Sequence, residues 1–417
     1  MNDSTTEFLV AQESGMSRYS SDRTEKRRIV MTQRLGSLVL SLSILALLLM
    51  LPNPVFSASI PRSTQEMLKK LQLDPSILKG LEQELQVPPD WTERARGEGK
   101  VTVQGTPGAA SVQKDLFAPF RERYPFITLE YNGLGNEERV VKTLMAYKSG
   151  RVIADVVESV AGGLTTYKEA KALEDLRNIP GMKNIIDNAK GTDGLHVQPF
   201  MNYWCISYNT KLVKKEDLPR KWEDLLVNST WRGGNLALGN RPTQWVLQLW
   251  KIKGESWVKD FLNKLFTEVK PQLRREGSNA LPQLVGAGEF HAVVPSDHTH
   301  AYDMASQGAP VGFVCPEPGP FTSISGAFIL KGAPNIYAAR LYMNWMLSKE
   351  GQIARYLVSN NTPVHKELQR KEFVPFPEEI LAKEATSTDP SFDQVVVPKL
   401  NEYWNNLWLR GGSGRQK

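Results

Sequence analysis

Between Lys100 and Ser159 the chain alternates between short β-branched runs and segments with apolar residues at helical spacing, which constrains the fold more than any other feature. "KVTVQG" reads as a strand closed by the turn "TPGA". Val112, Leu116, Phe117 and Phe120 then follow with the period of a helix. "YPFITLEY" is a second strand, "NEERVVKTLMAYKSG" a second helix and "VIADVVES" a third strand. Parallel neighbours need a crossover of about a dozen residues, so this pattern predicts βαβ units and a mostly parallel sheet in an α/β fold. In such sheets ligands sit beyond the carboxyl ends of the strands, beside helix N-termini. The loops Gly105–Ala109, Gly133–Glu137 and Ser159–Gly163 are therefore the places to look for binding residues.

A second strand–helix run extends from "NLALGNRPTQWVLQLW" to "FHAVVPSD". It is framed by two extended stretches, "ISYN" before and "PVGFVCPEPG" after. A chain that leaves one lobe and returns to it lets two lobes close by twisting a few backbone angles. Upstream, residues 61–96 read as helical, with Leu78, Leu81 and Leu85 on one face, and are expected to pack on the main body.

The N-terminus reads as an export signal. Arg18, Arg23, Lys26, Arg27, Arg28 and Arg34 precede an uncharged, mostly apolar run from Leu35 to Leu51, and "PNPVFSAS" supplies a small-residue exit. No cysteine near that exit offers a lipid attachment point, so a soluble periplasmic protein is expected. Nucleic acid is excluded as a partner, because 51 Lys and Arg are interspersed with 45 Asp and Glu and form no basic stripe. No HExxH, GxSxG or GKS-type loop points to catalysis.

"ISYNTKLV", "EDLPRKWEDLL" and "WRGGNLAL" resemble the domain-crossing segment of bacterial extracellular solute-binding proteins, the capture subunits of ABC importers. "EGKVTVQG", "LVGAGEFHAVV" and "GAFILKGAPNIYAARLYMNWMLSKEGQ" extend the resemblance, in order, from about Trp91 to His365. It is nearest to the branch holding ferric-iron-binding members. The resemblance implies a type II periplasmic-binding-protein fold, with two α/β lobes joined by hinge strands and ligand held between them. The expected organisation is a signal sequence at 1–59, a helical extension at 60–96, lobe 1 from 97–206 plus 315–409, lobe 2 from 207–314, and a disordered tail at 410–417. The implied partners are a small molecule or ion and an inner-membrane ABC permease, with the protein itself a monomer. The family sets the two hinge strands side by side, which places Cys205 opposite Cys315. A disulfide and a pair of separate buried thiols are both open.

On that fold the cleft residues come from loops at helix starts, where free N–H groups favour anions. Lobe 1 offers Thr106, Asn136, Ser159 and Ser323; the crossing offers Trp204. Lobe 2 offers Asn240, Arg241, Thr243, Ser278 and Asn279. Each is also read as an ordinary helix cap. "PSDHTHAYDM" places Asp297, His298 and Thr299 where a strand ends and a helix begins, hence at the cleft mouth. The iron-binding members carry an adjacent tyrosine pair near this point, and this chain has none.

Besides a sensor subunit whose closed form reports ligand to a membrane kinase, which the sequence does not separate from transport, three functions compete. The first is capture of a small polar or anionic solute, without catalysis and without a cofactor. The second is transport of ferric or divalent metal through Asp297, His298 and Tyr302, although one tyrosine with histidines suits a divalent ion better than iron. The third is a metal-dependent periplasmic hydrolase using Asp297, His298 and His300.

Overall fold

The computed structural model describes residues 60–106, 110–135, 137–160, 163–322, 326–388 and 390–413; the expected signal sequence lies outside them. The first sheet contains β1 (Lys100–Gly105), β2 (Thr128–Gly133), β3 (Val156–Val157) and β10 (Phe328–Ile329), ordered β10-β3-β1-β2. β1 is parallel to both β2 and β3, with Gly105 opposite Gly133, so the three strands end along one rim. Helix Ala110–Arg123 makes the first crossover and buries Leu116, Phe117 and Phe120 against the sheet.

The second sheet contains β4 (Tyr203–Asn209), β5 (Leu236–Gly239), β6 (Gln272–Arg274), β7 (Ala292–Asp297) and β8 (Val311–Val314), in the order β6-β5-β7-β4-β8. β9 (Phe321–Thr322) also pairs with β4. β5 is parallel to β6 and β7, whereas β4 runs antiparallel to β7 and β8. Each lobe has its own apolar core.

Three expected boundaries need correction. "ISYN" and "GFVC" do not span the lobes; as β4 and β8 they are neighbours within the second-lobe sheet. The crossing lies earlier on the outgoing path and later on the return, where Val197 bridges Ala327 and Met201 bridges Thr362. A further crossing follows helix Lys349–Ser359 and delivers helix Pro390–Ser413 to the second lobe. That helix buries Val396, Leu400, Trp404 and Trp408 in the second-lobe core, so it does not belong to lobe 1. Trp404 stands edge-on to Trp245 and Phe266, and its indole donates to Asn240 Oδ1 at 2.8 Å. The same helix runs on to Ser413, into the segment expected to be a disordered tail.

The N-terminal extension is helical but broken, because Pro75, Gly80 (φ 82°) and Pro88 interrupt it. Leu78, Leu81, Leu85 and Trp91 enter the first-lobe core, and Arg340 stacks 5.1 Å over Trp91. Polar contacts complete the seat. The buried carboxylate of Glu350 accepts from Thr64 Oγ1 at 2.5 Å and pairs with Arg123 at 2.6 Å, while Arg123 also reaches Glu82 at 3.0 Å.

Cys205 and Cys315 are joined by a disulfide, with Cα atoms 5.0 Å apart. Register explains the bond: Ile206 faces Val314, so the next antiparallel positions are these two cysteines. It staples neighbours of one sheet rather than the two lobes. Its partners are 110 residues apart, and closing so long a loop is worth about 4–5 kcal/mol by chain entropy. The Cys205→Ser/Cys315→Ser variant is therefore expected to lose about that much in urea unfolding. A thiol assay should find no free thiol in the unreduced, denatured wild type; two free thiols would refute the bond.

Candidate functional site

A cavity of about 590 Å³ lies between the lobes. Thr106, Tyr131, Arg139 and Ser159 line it from the rim of the first sheet, with Arg355 and Ser359–Asn361 from the end of helix Lys349–Ser359. Gln198, Phe200, Asn202 and Trp204 come from the crossing, and Gln244, Thr299, His300 and Asp303 from the second lobe. Gly105 admits Tyr131 to this wall: a Cβ at that position would sit 1.9 Å from the Tyr131 hydroxyl.

Arg139 organises the first-lobe rim. It sits on the π-helical turn Glu138–Lys142, and its guanidinium donates to the carbonyls of Gly105 (2.9 Å), Leu134 and Ser159 (2.9 Å). Those carbonyls belong to the loops after β1, β2 and β3, so one side chain ties together all three rim loops. Burial pulls its pKa below the usual arginine value. None of the acceptors it reaches through these bonds is a carboxylate, and the nearby Glu158 acts on it only through its charge.

Arg355 is held differently. Its Nη2 lies 3.0 Å from Oε2 of the fully buried Glu158, its guanidinium stacks 5.0 Å from the Phe200 ring, and Tyr342 donates its hydroxyl to the other Glu158 oxygen. Burial, reinforced by the Glu158 charge, pushes the Tyr342 pKa well above its ordinary value.

Three lining residues keep a buried polar atom with no partner among the described residues: Arg139 Nε, Ser159 Oγ and Trp204 Nε1. They are 5%, 7% and 8% exposed, so bulk water does not satisfy them readily. Ser159 also has φ 57°, a left-handed conformation that is strained for a non-glycine residue. Such orphaned groups cost about 1–3 kcal/mol each and need an explanation.

Of the residues expected from sequence, Thr106, Ser159, Trp204 and Thr299 line the cavity. Asn136 and Ser323 lie outside the described residues. Asn240 is occupied by the Trp404 indole, and Thr243 donates to Gln244, the member of that loop that reaches the cavity. Arg241, Ser278 and Asn279 are not lining residues.

Asp297 does cap helix His298–Ser306, accepting from the Thr299 amide at 2.9 Å, but Asp297 and His298 are buried behind the cavity rather than facing it. His298 has both ring nitrogens in hydrogen bonds, to the Tyr203 amide and to Thr362 Oγ1. Tyr302 packs edge-on to Phe376. Among the described residues no cluster of three or more His, Cys, Asp or Glu is placed to hold a metal ion. The Asp297, His298 and Tyr302 metal set and the Asp297, His298 and His300 hydrolase set are thus corrected: His298 has no nitrogen to give.

Sequence reasoning missed Arg139, Arg355, Asn202, Asn361, Gln244 and Asp303, and named His300, which does line the cavity, only as a metal ligand of the hydrolase reading. For Arg139 a signal existed, since it shares the inward face of its helix with Thr143 and Ala146. A cation at that spacing marks a buried charge with a task.

His196, at the first crossing, adds a pH term. Burial first, then the nearby Lys168 charge, lowers its pKa to about 4, against the pull of Asp193. An unfolded histidine titrates near 6.5. The unfolded chain therefore binds the extra proton between pH 6.5 and 4 and the folded one does not, so stability is full above 6.5 and falls as pH drops. The loss approaches about 3 kcal/mol. Urea titrations from pH 7 to 4 should show wild type losing that much more than His196→Asn; parallel curves would contradict it.

Comparison with known proteins settles the family. The model for bacterial extracellular solute-binding proteins matches residues 115–382, more than half of the chain. The chain belongs to this family. Among solved structures, this solute-binding protein is similar to an ABC transporter substrate-binding protein from Bradyrhizobium japonicum, at 19% identity and TM-score 0.60, covering 74% of this chain and 99% of that one. Iron-bound HitA from Pseudomonas aeruginosa gives 20% and 0.61 over 74% and 99%. AfuA from Actinobacillus pleuropneumoniae, with fructose-6-phosphate bound, gives 18% and 0.52 over 75% and 97%. These likenesses establish the two-lobed fold of type II periplasmic binding proteins. An uncharacterized Haemophilus influenzae protein is 29% identical over 163 residues, 37% of this chain and 45% of its own length. That match thus spans less than half of the relative.

Proposed function

We propose that this solute-binding protein captures a small, acceptor-rich organic anion in the interlobe cavity and delivers it to an ABC permease without chemical change. The observation that carries this reading is the set of orphaned donors, Arg139 Nε, Ser159 Oγ and Trp204 Nε1, beside a guanidinium bonded only to carbonyls. Carboxylate or phosphate is the ligand chemistry that complements an arginine in a cavity wall that also carries a hydroxyl and an indole N–H. Thr106, Thr299, Asn202 and Asn361 supply further polar contacts around the ligand. The protein acts as a monomer in the periplasm, exported by its N-terminal signal.

HitA binds iron and AfuA a sugar phosphate. The cationic, carboxylate-poor first-lobe wall favours the second kind of cargo here. Thermal denaturation with citrate, inorganic phosphate, a hexose phosphate, ferric ion or zinc as probe tests it. An anion at about 100 times its Kd should stabilise the fold by about 2.7 kcal/mol and be recovered unaltered. Stabilisation by a metal ion alone would refute the proposal.

A further inference from the structure

His298 touches no part of the cavity and is fully buried, yet it joins three separate pieces of the cavity wall. Its Nδ1 accepts the Tyr203 amide at 3.1 Å and lies 3.4 Å from Asp297 Oδ1, and its Nε2 shares a hydrogen bond with Thr362 Oγ1 at 3.1 Å. Tyr203 stands between Asn202 and Trp204, Thr362 follows Asn361, and His298 precedes Thr299 and His300; all five of these neighbours line the cavity. The adjacent Asp297 repeats the connection through side chains that themselves line the cavity. It accepts from Thr299 Oγ1 at 2.8 Å and from Asn202 Nδ2 at 2.9 Å, and Asn202 accepts from Asn361 at 2.6 Å. The backbone pair Met201–Thr362 closes the group.

We infer that His298 is a positioning residue for ligand capture: its imidazole sets the second-lobe helix start and two crossing segments in register, and so fixes the polar wall without contacting ligand. The inference rests on the capture reading for its consequence, but its structural core can be tested without ligand. A buried histidine that merely fills the core would affect stability and leave affinity in the folded state unchanged.

The test uses the full-length exported protein and two conservative variants. His298→Asn keeps an acceptor for the Tyr203 amide, and Thr362→Val keeps the shape at 362; both delete the same Nε2–Oγ1 bond. Hydrogen exchange of ligand-free protein should rise in both variants at residues 199–205, 298–304 and 357–363 together, while helix Val246–Lys253 is unchanged. Calorimetry with citrate, at a temperature where every variant is folded, should show each single variant binding about tenfold more weakly. The double variant should be no weaker than the worse single, because the partners share one bond. Exchange that rises only at the substituted segment, unaltered citrate affinity in both singles, or additive losses would each overturn the inference. If wild type binds none of the anion probes, the capture reading fails and the exchange result alone decides the role of His298.

Discussion

Arg139→Met is expected to abolish anion binding and loosen the first-lobe rim in one step. The substitution removes the donor that the carbonyls of Gly105, Leu134 and Ser159 share. Leaving buried acceptors without partners costs about 1–3 kcal/mol each, so a loss of about 3 kcal/mol or more should appear in urea unfolding. Binding of an anionic probe should fall at least about 100-fold, since the charge and the orphaned Nε vanish together. Arg139→Lys separates the two effects. It restores the charge, but an ammonium cannot span three carbonyls as a planar fork does. Binding should return in part while the stability loss persists. Stability within about 0.5 kcal/mol of wild type in Arg139→Met would mean that the rim loops do not depend on this residue.

Glu158→Gln should be the most destabilising conservative change in the first lobe. Glu158 is fully buried, pairs with Arg355 and accepts from Tyr342. Glutamine preserves shape and strands the Arg355 charge, which costs about 3–5 kcal/mol. Adding Arg355→Met to that variant should recover much of the loss, because removing both members of a buried pair is far milder than removing one. Chemical denaturation of the two singles and the double measures the coupling. Additive losses would show that the pair is not a unit.

The first lobe was legible because βαβ alternation is a local signal: β1 and the crossover helix lie where the periodicity placed them, β2 begins at Thr128 rather than Tyr124, and Thr106 and Ser159 sit at strand ends for the same reason. The helix start at His298 and its Asp297 cap were also local matters. Side-chain direction was not. A strand-end address put Asp297 and His298 at the cleft mouth, whereas Tyr203 and Thr362, 95 and 64 residues away, draw His298 inward, and Asn202 engages Asp297. Arg355 could not be found, since its meaning depends on a carboxylate 197 residues distant. The hinge was misplaced because an extended run looks the same within a sheet as between lobes; only pairing of β4 with β7 and β8 distinguishes them. The final helix carried its aromatics plainly, but nothing local said which lobe would receive them.

The central claim, an organic anion held by the Arg139 wall, is tested most directly by native mass spectrometry with elemental analysis. The protein should be purified gently from its own secretion compartment, alongside Arg139→Met. The account predicts one equivalent of a small carboxylate- or phosphate-bearing molecule on wild type, no stoichiometric metal, and no adduct on the variant. A wild type that carries stoichiometric iron or zinc and no organic mass would contradict it.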